Sequence, residues 1–426
     1  MSNYSKHNIE LLQYLDRHLI YPILDFAQTN EFFPQLEMLQ AKFDLLQGTN
    51  MPGHCAELYK QIHQTDVAPT AFADKQGVIE RQLAELETQS QKVLEVLENP
   101  EVASALRQDK AQNLVFLQDS HGITIDQINV LYKLGQFDYN RGNYAGAIDH
   151  LYHFRVLSTD QKLVIGATWG KLASEILTAN WDDAESELTK LKEQVDADSD
   201  DALAQLKNRA WLLHWALFPL LKSSTNKAIE LQELFFMPAY LNAMQTSAPH
   251  LLRYLTVAVL STCFGKTNAA IPNRRLKDLV RVLEVETSYT DPITDFARAI
   301  LVKYDFVKAA TMYNDIHLAI SADYFLHSLA DEIMQSLRLA VAEAYLRLHR
   351  TAEIRNMAAI IDTTKEDLVQ LVTRDLEHLN VDVDIEDGTI EVMREQSTTL
   401  QDLVNKTKAL AQRSAHTQSQ ISRTVR

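Results

Sequence analysis

Apolar residues recur at helical spacing along most of this chain, and the period changes only near its end. "NIELLQYLDRHLI" puts Ile9, Leu12, Leu15 and Leu19 on one side of a helix that Pro22 breaks. "IERQLAELETQSQKVLEVLEN" aligns Leu83, Leu86, Leu94 and Leu97, and Asn99-Pro100 closes it. Two later segments share a theme: Asn143, Tyr144 and Ala147 in "YNRGNYAGAIDHLYHFR", then Asn180, Trp181 and Ala184 in "LTANWDDAESELTKL", 37 residues on. "YDFVKAATMY" is a looser copy, with Phe306 and Ala309. A polar turn reverses the chain, the aromatic wedges between paired helices, and the small Ala lets the backbones approach. Such hairpins stack into an α-solenoid, a curved scaffold suited to binding partners. An irregular helical bundle with coincidental spacing is the alternative.

The stretch after Arg350 reads differently. Ile354, Met357, Ala358 and Ile361 give a short helix an inward face. Thr363-x-x-Glu366 is a capping box that starts a second helix at Thr364, with an apolar stripe of Leu368, Leu371, Val372 and Leu379. Val381, Val383 and Ile385 then alternate with Asp382, Asp384 and Glu386. Asp387-Gly388 is a strong hairpin turn, and Ile390 and Val392 continue the return strand. Helix, helix and hairpin suit a winged helix. Beyond it Leu400, Leu403, Val404, Leu410 and Ala411 predict a final helix with a polar, frayed end. The expected fold is therefore mostly α: a solenoid of helical hairpins, a winged helix and a C-terminal helix.

Charge decides what the winged helix can do. From Thr363 to Val392 nine acids face two bases, Lys365 and Arg374. A helix that reads a major groove needs donors and positive charge at the phosphates, so this one is repelled. Pairing with another protein fits better, because a two-stranded wing has open edges that a second wing can extend. Val381, Val383, Ile385, Ile390 and Val392, with Leu400, Leu403 and Leu410 on the final helix, are the expected partner interface.

Across all 426 residues the formal charge is −16, which argues against broad nucleic-acid binding. Few breakers, 11 Gly and 10 Pro with none after Pro292, favour helix over sheet. Cys55 and Cys263, with no signal peptide in sight, suit a reducing compartment, which leaves the glycosylation triplets at Asn3 and Asn405 idle. No apolar run reaches the roughly 18 residues of a membrane span.

Candidate chemistry is thin. Gly265-Lys266-Thr267 resembles the end of a phosphate loop, but the upstream glycine position holds Leu260. Asp196, Asp198 and Asp200 open like a calcium loop, yet Asp201 and Lys207 occupy the positions that need Gly and Glu. This acidic stretch and the polar "KSSTNK" at residues 222–227 read as linkers. His150 and His153, one turn apart, are too few to hold a metal. No catalytic constellation, cofactor site or metal site is expected. The best basic patch is Lys266, Arg274, Arg275, Lys277 and Arg281, which could meet RNA or an acidic partner. It carries no interleaved aromatic platform for stacking bases, and an ordinary charged helix face is the plainer reading.

Helical repeats ending in a winged helix resemble the PCI family, shared by the proteasome lid, the signalosome and translation initiation factor three. "LDRHLIYPILDF", "NYAGAIDHLYHFRVL", "WGKLASEILTANWDDA", "RAWLLHWALF", "PHLLRYLTVAVL" and "DPITDF" occur in order and are similar to the e-subunit branch of initiation factor three. The resemblance covers residues 9 to 393 or so. It implies an N-terminal helical-repeat region at 1–213, a PCI module at 214–394 whose winged helix starts near 351, and a C-terminal helix and tail at 395–426. It further implies a non-enzymatic cytoplasmic scaffold beside the c, d and l subunits. Such a scaffold supports preinitiation-complex assembly on the small ribosomal subunit and messenger RNA recruitment, with a possible contact to the cap-binding complex scaffold. A PCI scaffold of the proteasome lid or signalosome is the alternative.

Overall fold

A computed structural model describes residues 10–98, 110–197, 201–223, 227–264, 273–384, 387–393 and 399–424. The chain forms two compact units; among the described residues, one holds those up to Cys263 and from Asn273 to Leu337, and the other holds Phe264 and those from Arg338 onward.

The first unit opens with a short helical turn that ends before Asp16. Asp16 caps α1 (Arg17–Thr29) by accepting from the His18 amide at 3.1 Å. The break therefore falls at Asp16 rather than at Pro22, which lies inside α1. The Asp16 cap sets a new helix axis before the proline is reached, and Pro22 removes only one ladder bond within it. α2 (Gln35–Gln47), α3 (Pro52–His63) and α4 (Thr70–Glu98) follow. Leu39, Leu46, Cys55 and Leu58 form their shared core.

After α5 (Lys110–His121), five helices stack in series: α6 (Ile125–Arg141), α7 (Tyr144–Leu157), α8 (Gln161–Leu177), α9 (Trp181–Ala197) and α10 (Ala202–Lys222). Each packs on its predecessor. The repeated theme marks the turns. Ala147, Ala184 and Ala309 are fully buried at the helix contacts. In each copy a residue in the left-handed region (Gly142, Ala179 or Tyr304) precedes an Asn or Asp whose amide bonds back to the outgoing helix. Asn143 accepts from the Gly146 amide, and Asp305 accepts from that of Lys308. At Gly135 a Cβ would sit 2.8 Å from Leu151, so glycine lets α6 and α7 close up.

Buried charges tie these helices together. The Glu187 carboxylate on α9, 2% exposed, receives Arg155 of α7, Lys171 of α8 at 3.0 Å and Lys190 at 3.0 Å. Burial alone would raise its pKa, but hydrogen bonds from Arg155 and Lys190 hold it at about 2. Asp138 similarly gathers Arg141 at 2.9 Å, and its carboxylate lies 3.4 Å from His150 Nε2, so His150 faces Asp138.

The unit continues through α11 (Ala228–Phe235), α12 (Pro238–Ser247), α13 (Leu252–Thr262), α14 (Asn273–Val285), α15 (Pro292–Arg298), α16 (Phe306–Thr311), α17 (Tyr313–Ser321) and the first part of α18 (Ala330–Leu348). α13 is buried almost throughout. Its one charge, Arg253, bonds Asp291, the cap of α15, and reaches Asp323 at 3.0 Å. Asp323 also accepts from the Tyr254 hydroxyl and the Phe325 amide, both at 3.0 Å. A long-range strap closes the unit. Tyr14 stacks on His214 at 4.2 Å and donates to the Ser247 carbonyl, and its own carbonyl accepts from Trp215 Nε1 at 3.1 Å.

The second unit takes up α18 from Arg338 and adds β1 (Thr351–Glu353), α19 (Ile354–Ile361), α20 (Lys365–Asp375), β2 (Val381–Asp384), β3 (Thr389–Val392) and α21 (Thr399–Thr424). Among the described residues no helix is long and apolar enough to cross a membrane.

Candidate protein interfaces

The second unit is assembled around an apolar wedge. α19 buries Ile354, Met357, Ala358 and Ile361, the four positions its spacing predicts. Asp362 ends α19 in the left-handed region, and the Thr363 amide bonds back to Ala358. Thr363 thus belongs to the end of α19, and the cap of α20 shifts to Thr364. Its hydroxyl accepts from the Asp367 amide at 3.2 Å and donates to the Asp367 carboxylate at 2.6 Å. α20 buries Leu368 and Val372, while Leu371 and Leu379 are half-buried. A turn at Glu377–Leu379 brings His378 Nε2 to 3.4 Å from the buried Glu343 carboxylate of α18, which also pairs with Arg347.

The three strands form one antiparallel sheet in the order β1-β3-β2. Val383 faces Ile390, which also faces Ala352, and Val381 faces Val392. Ala352, Ile390 and Val392 are buried, and Val381 and Val383 are half-buried on the same side. The valine and isoleucine side chains thus close the core. β2 turns Asp382 and Asp384 outward and forms one edge of the three-stranded sheet. Ile385 lies outside the described residues. Asp387-Gly388 makes the turn, with Gly388 at φ +66.

The final helix contrasts with this packed hairpin. Leu400, Leu403, Val404 and Leu410 on α21 are 49–73% exposed, an apolar stripe along a helix whose polar side is mostly neutral or basic. Stripes of this kind mark surfaces that another helix covers.

Four residues of the basic patch, Arg274, Arg275, Lys277 and Arg281, lie in the first unit, on α14, and the structure divides them. Arg274, Lys277 and Arg281 are exposed, with Asp278 between the two arginines at 3.9 and 3.5 Å. Arg275 turns inward, half-buried over the Phe236 ring at 5.2 Å. Lys266 lies outside the described residues, as does the Gly265-Lys266-Thr267 loop. Asp196, first residue of the calcium-like series, pairs with Arg209 at 2.9 Å.

The sequence reading passed over the buried ionic ties at Glu187 and Arg253. One signal was present: Arg253 is the only charge in the apolar run "LLRYLTVAVL", and a charge there requires a partner. Nothing local announced Asp291 or Asp323 as that partner.

Residues 9–138 match the family model described as the eIF3 subunit 6 N terminal domain. Curated relatives extend the similarity over nearly the whole chain. The E subunit of eukaryotic translation initiation factor 3 from Schizosaccharomyces pombe is 46% identical over 85% of this chain and 74% of its own length. Those of Yarrowia lipolytica and Aspergillus clavatus are 39% and 38% identical, over 96% and 94% of this chain and 97% and 89% of their own. With coverage this complete at such identity, the chain belongs to the family of eukaryotic translation initiation factor 3 E subunits.

Proposed function

We propose that this chain is a non-enzymatic, cytoplasmic scaffold component of initiation factor 3. It holds sister subunits through its carboxy-terminal unit and supports preinitiation-complex assembly and messenger RNA recruitment on the small ribosomal subunit. We read β1, α19, α20 and the β2–β3 hairpin as the winged helix of a PCI module. The sheet order and the two buried helix faces support that reading. Its acidic surface favours a protein neighbour over nucleic acid, and β2 offers an edge that a neighbouring wing can extend. The neighbours expected from the family are the c, d and l subunits.

The observation that carries the scaffold role is the exposed stripe on α21. Each leucine buried against a partner contributes about 1.5–3 kcal/mol. Replacing Leu400, Leu403 and Leu410 with Glu should therefore weaken association by roughly a thousandfold or more. Affinity purification of the factor through a tag on this chain, with the co-purifying proteins identified by mass spectrometry, should show loss of sister subunits. Full retention of every subunit by the triple variant would end the proposal.

A further inference from the structure

The geometry points to a second binding surface, in the first unit: a groove between α1, α2 and α3 that receives a lysine- or arginine-bearing segment of a partner protein. This inference does not rest on the scaffold reading, since capture of a basic segment needs no sister subunit. The groove encloses about 720 Å³, within the range of ligand clefts. Asp25 of α1, Glu31 of the α1–α2 loop and Glu57 of α3 line it against a single ammonium, Lys42.

That ammonium is already engaged. Lys42 is almost fully buried, with Nζ 2.8 Å from Asp25 Oδ1 and 2.5 Å from Gln28 Oε1, above the Tyr21 ring. Both hydrogen bonds return to α1, so Lys42 neutralises Asp25 and leaves Glu31 and Glu57 as the acids facing the groove. Among the described residues Glu31 has no ion pair, and Glu57 has only His54, at 3.7 Å on an exposed surface. Burial raises the pKa of the Tyr21 hydroxyl, and the Asp25 and Glu57 charges raise it further. Carboxylates from two helices thus act on this wall of the groove.

The walls fit the rest of a Lys or Arg side chain. Lys42 already sits over Tyr21, and Phe33 offers an aromatic face to a guanidinium or to an aliphatic stem. Phosphate is repelled by the same carboxylates. Among the described residues no group of three or more His, Cys, Asp or Glu side chains is placed to hold a metal ion.

The test is a fluorescence-anisotropy titration of the full chain into a fluorescein-labelled Gly-Arg-Gly-Lys-Gly-Arg-Gly-Lys peptide. A second peptide replaces every Arg and Lys with Gln. The wild-type chain should bind the basic peptide, more weakly as salt rises, and leave the Gln peptide free. The pair Glu31→Lys and Glu57→Lys should bind roughly tenfold more weakly or worse. The pair Asp119→Lys and Glu193→Lys, which makes the same charge change on exposed residues outside the groove, should bind like wild type. Thermal melting checks that each variant is folded. If the groove pair melts early, Glu57→Gln replaces it, with roughly threefold weaker binding expected. Failure of the wild type to bind overturns the inference, as do undiminished binding by the groove variant, equal weakening by the outside pair, or equal binding of the Gln peptide.

Discussion

Substituting Glu187→Gln removes the charge that joins α7, α8 and α9 while keeping the side chain's shape. In the folded chain the carboxylate has a pKa of about 2 against an ordinary 4.5. At about 1.36 kcal/mol per pH unit, this difference corresponds to roughly 3 kcal/mol. Little screening discount applies, because the side chain is only 2% exposed. The folded pKa is depressed, so this stability is fully present above pH 4.5 and is lost as pH falls through 4.5 towards 2. The variant has no such titration. Breaking a buried pair, as here with Arg155, typically costs about 3–5 kcal/mol, a second measure of the same interaction. Burial raises the pKa of Glu175, despite Asn180 and Lys171, so its pH dependence has the opposite sign. Glu175 is present in both proteins and cancels to first order. All four tryptophans lie between Trp169 and Trp215, so their fluorescence follows unfolding of this region in urea. The gap between wild type and variant should be about 3 kcal/mol and flat from pH 7 to 5, then narrow at lower pH. A gap under about 1 kcal/mol at pH 7, or one unchanged at pH 3, would refute the reasoning.

Asp323→Ala strips Arg253 and Tyr254 of a buried acceptor and should destabilise the first unit by about 3–5 kcal/mol, read by calorimetry. Thr364→Ala should cost about 0.5–2 kcal/mol and speed hydrogen exchange in the first turn of α20, whereas Thr363→Ala should leave that turn protected. Gly142→Ala places a Cβ at φ +88, 3.0 Å from Met51, and should cost roughly 1–2 kcal/mol with faster exchange at the start of α7.

Repeats that depend on local chemistry were visible in the residues alone. The Asn-aromatic-Ala theme located α7 and α9 because a cap, a wedge and a close contact each demand a residue type at a fixed offset. The inward face of α19 was legible for the same reason, since four apolar residues at helical spacing admit one buried side. Two local readings slipped where neighbouring elements compete. Thr363 resembles a cap in isolation, but the left-handed Asp362 commits it to the preceding helix. Pro22 resembles a stop, but Asp16 had already begun a new helix. The groove was not legible at all. Asp25, Lys42 and Glu57 lie on three helices, and only packing makes one surface of them.

The strap at Tyr14 bears on how this chain is made. Its hydroxyl waits for a carbonyl 233 residues downstream, and its backbone oxygen for an indole 201 residues on. At about 5–20 residues per second, synthesis takes roughly 10–50 s to cover that distance. The tunnel therefore releases the start of the chain long before its docking place exists. The stacked hairpins, joined by short-range contacts, can form as they emerge, and the amino-terminal turn closes over them last. Until then its leucines are exposed, and a nascent chain in that interval is the form most in need of protection from aggregation.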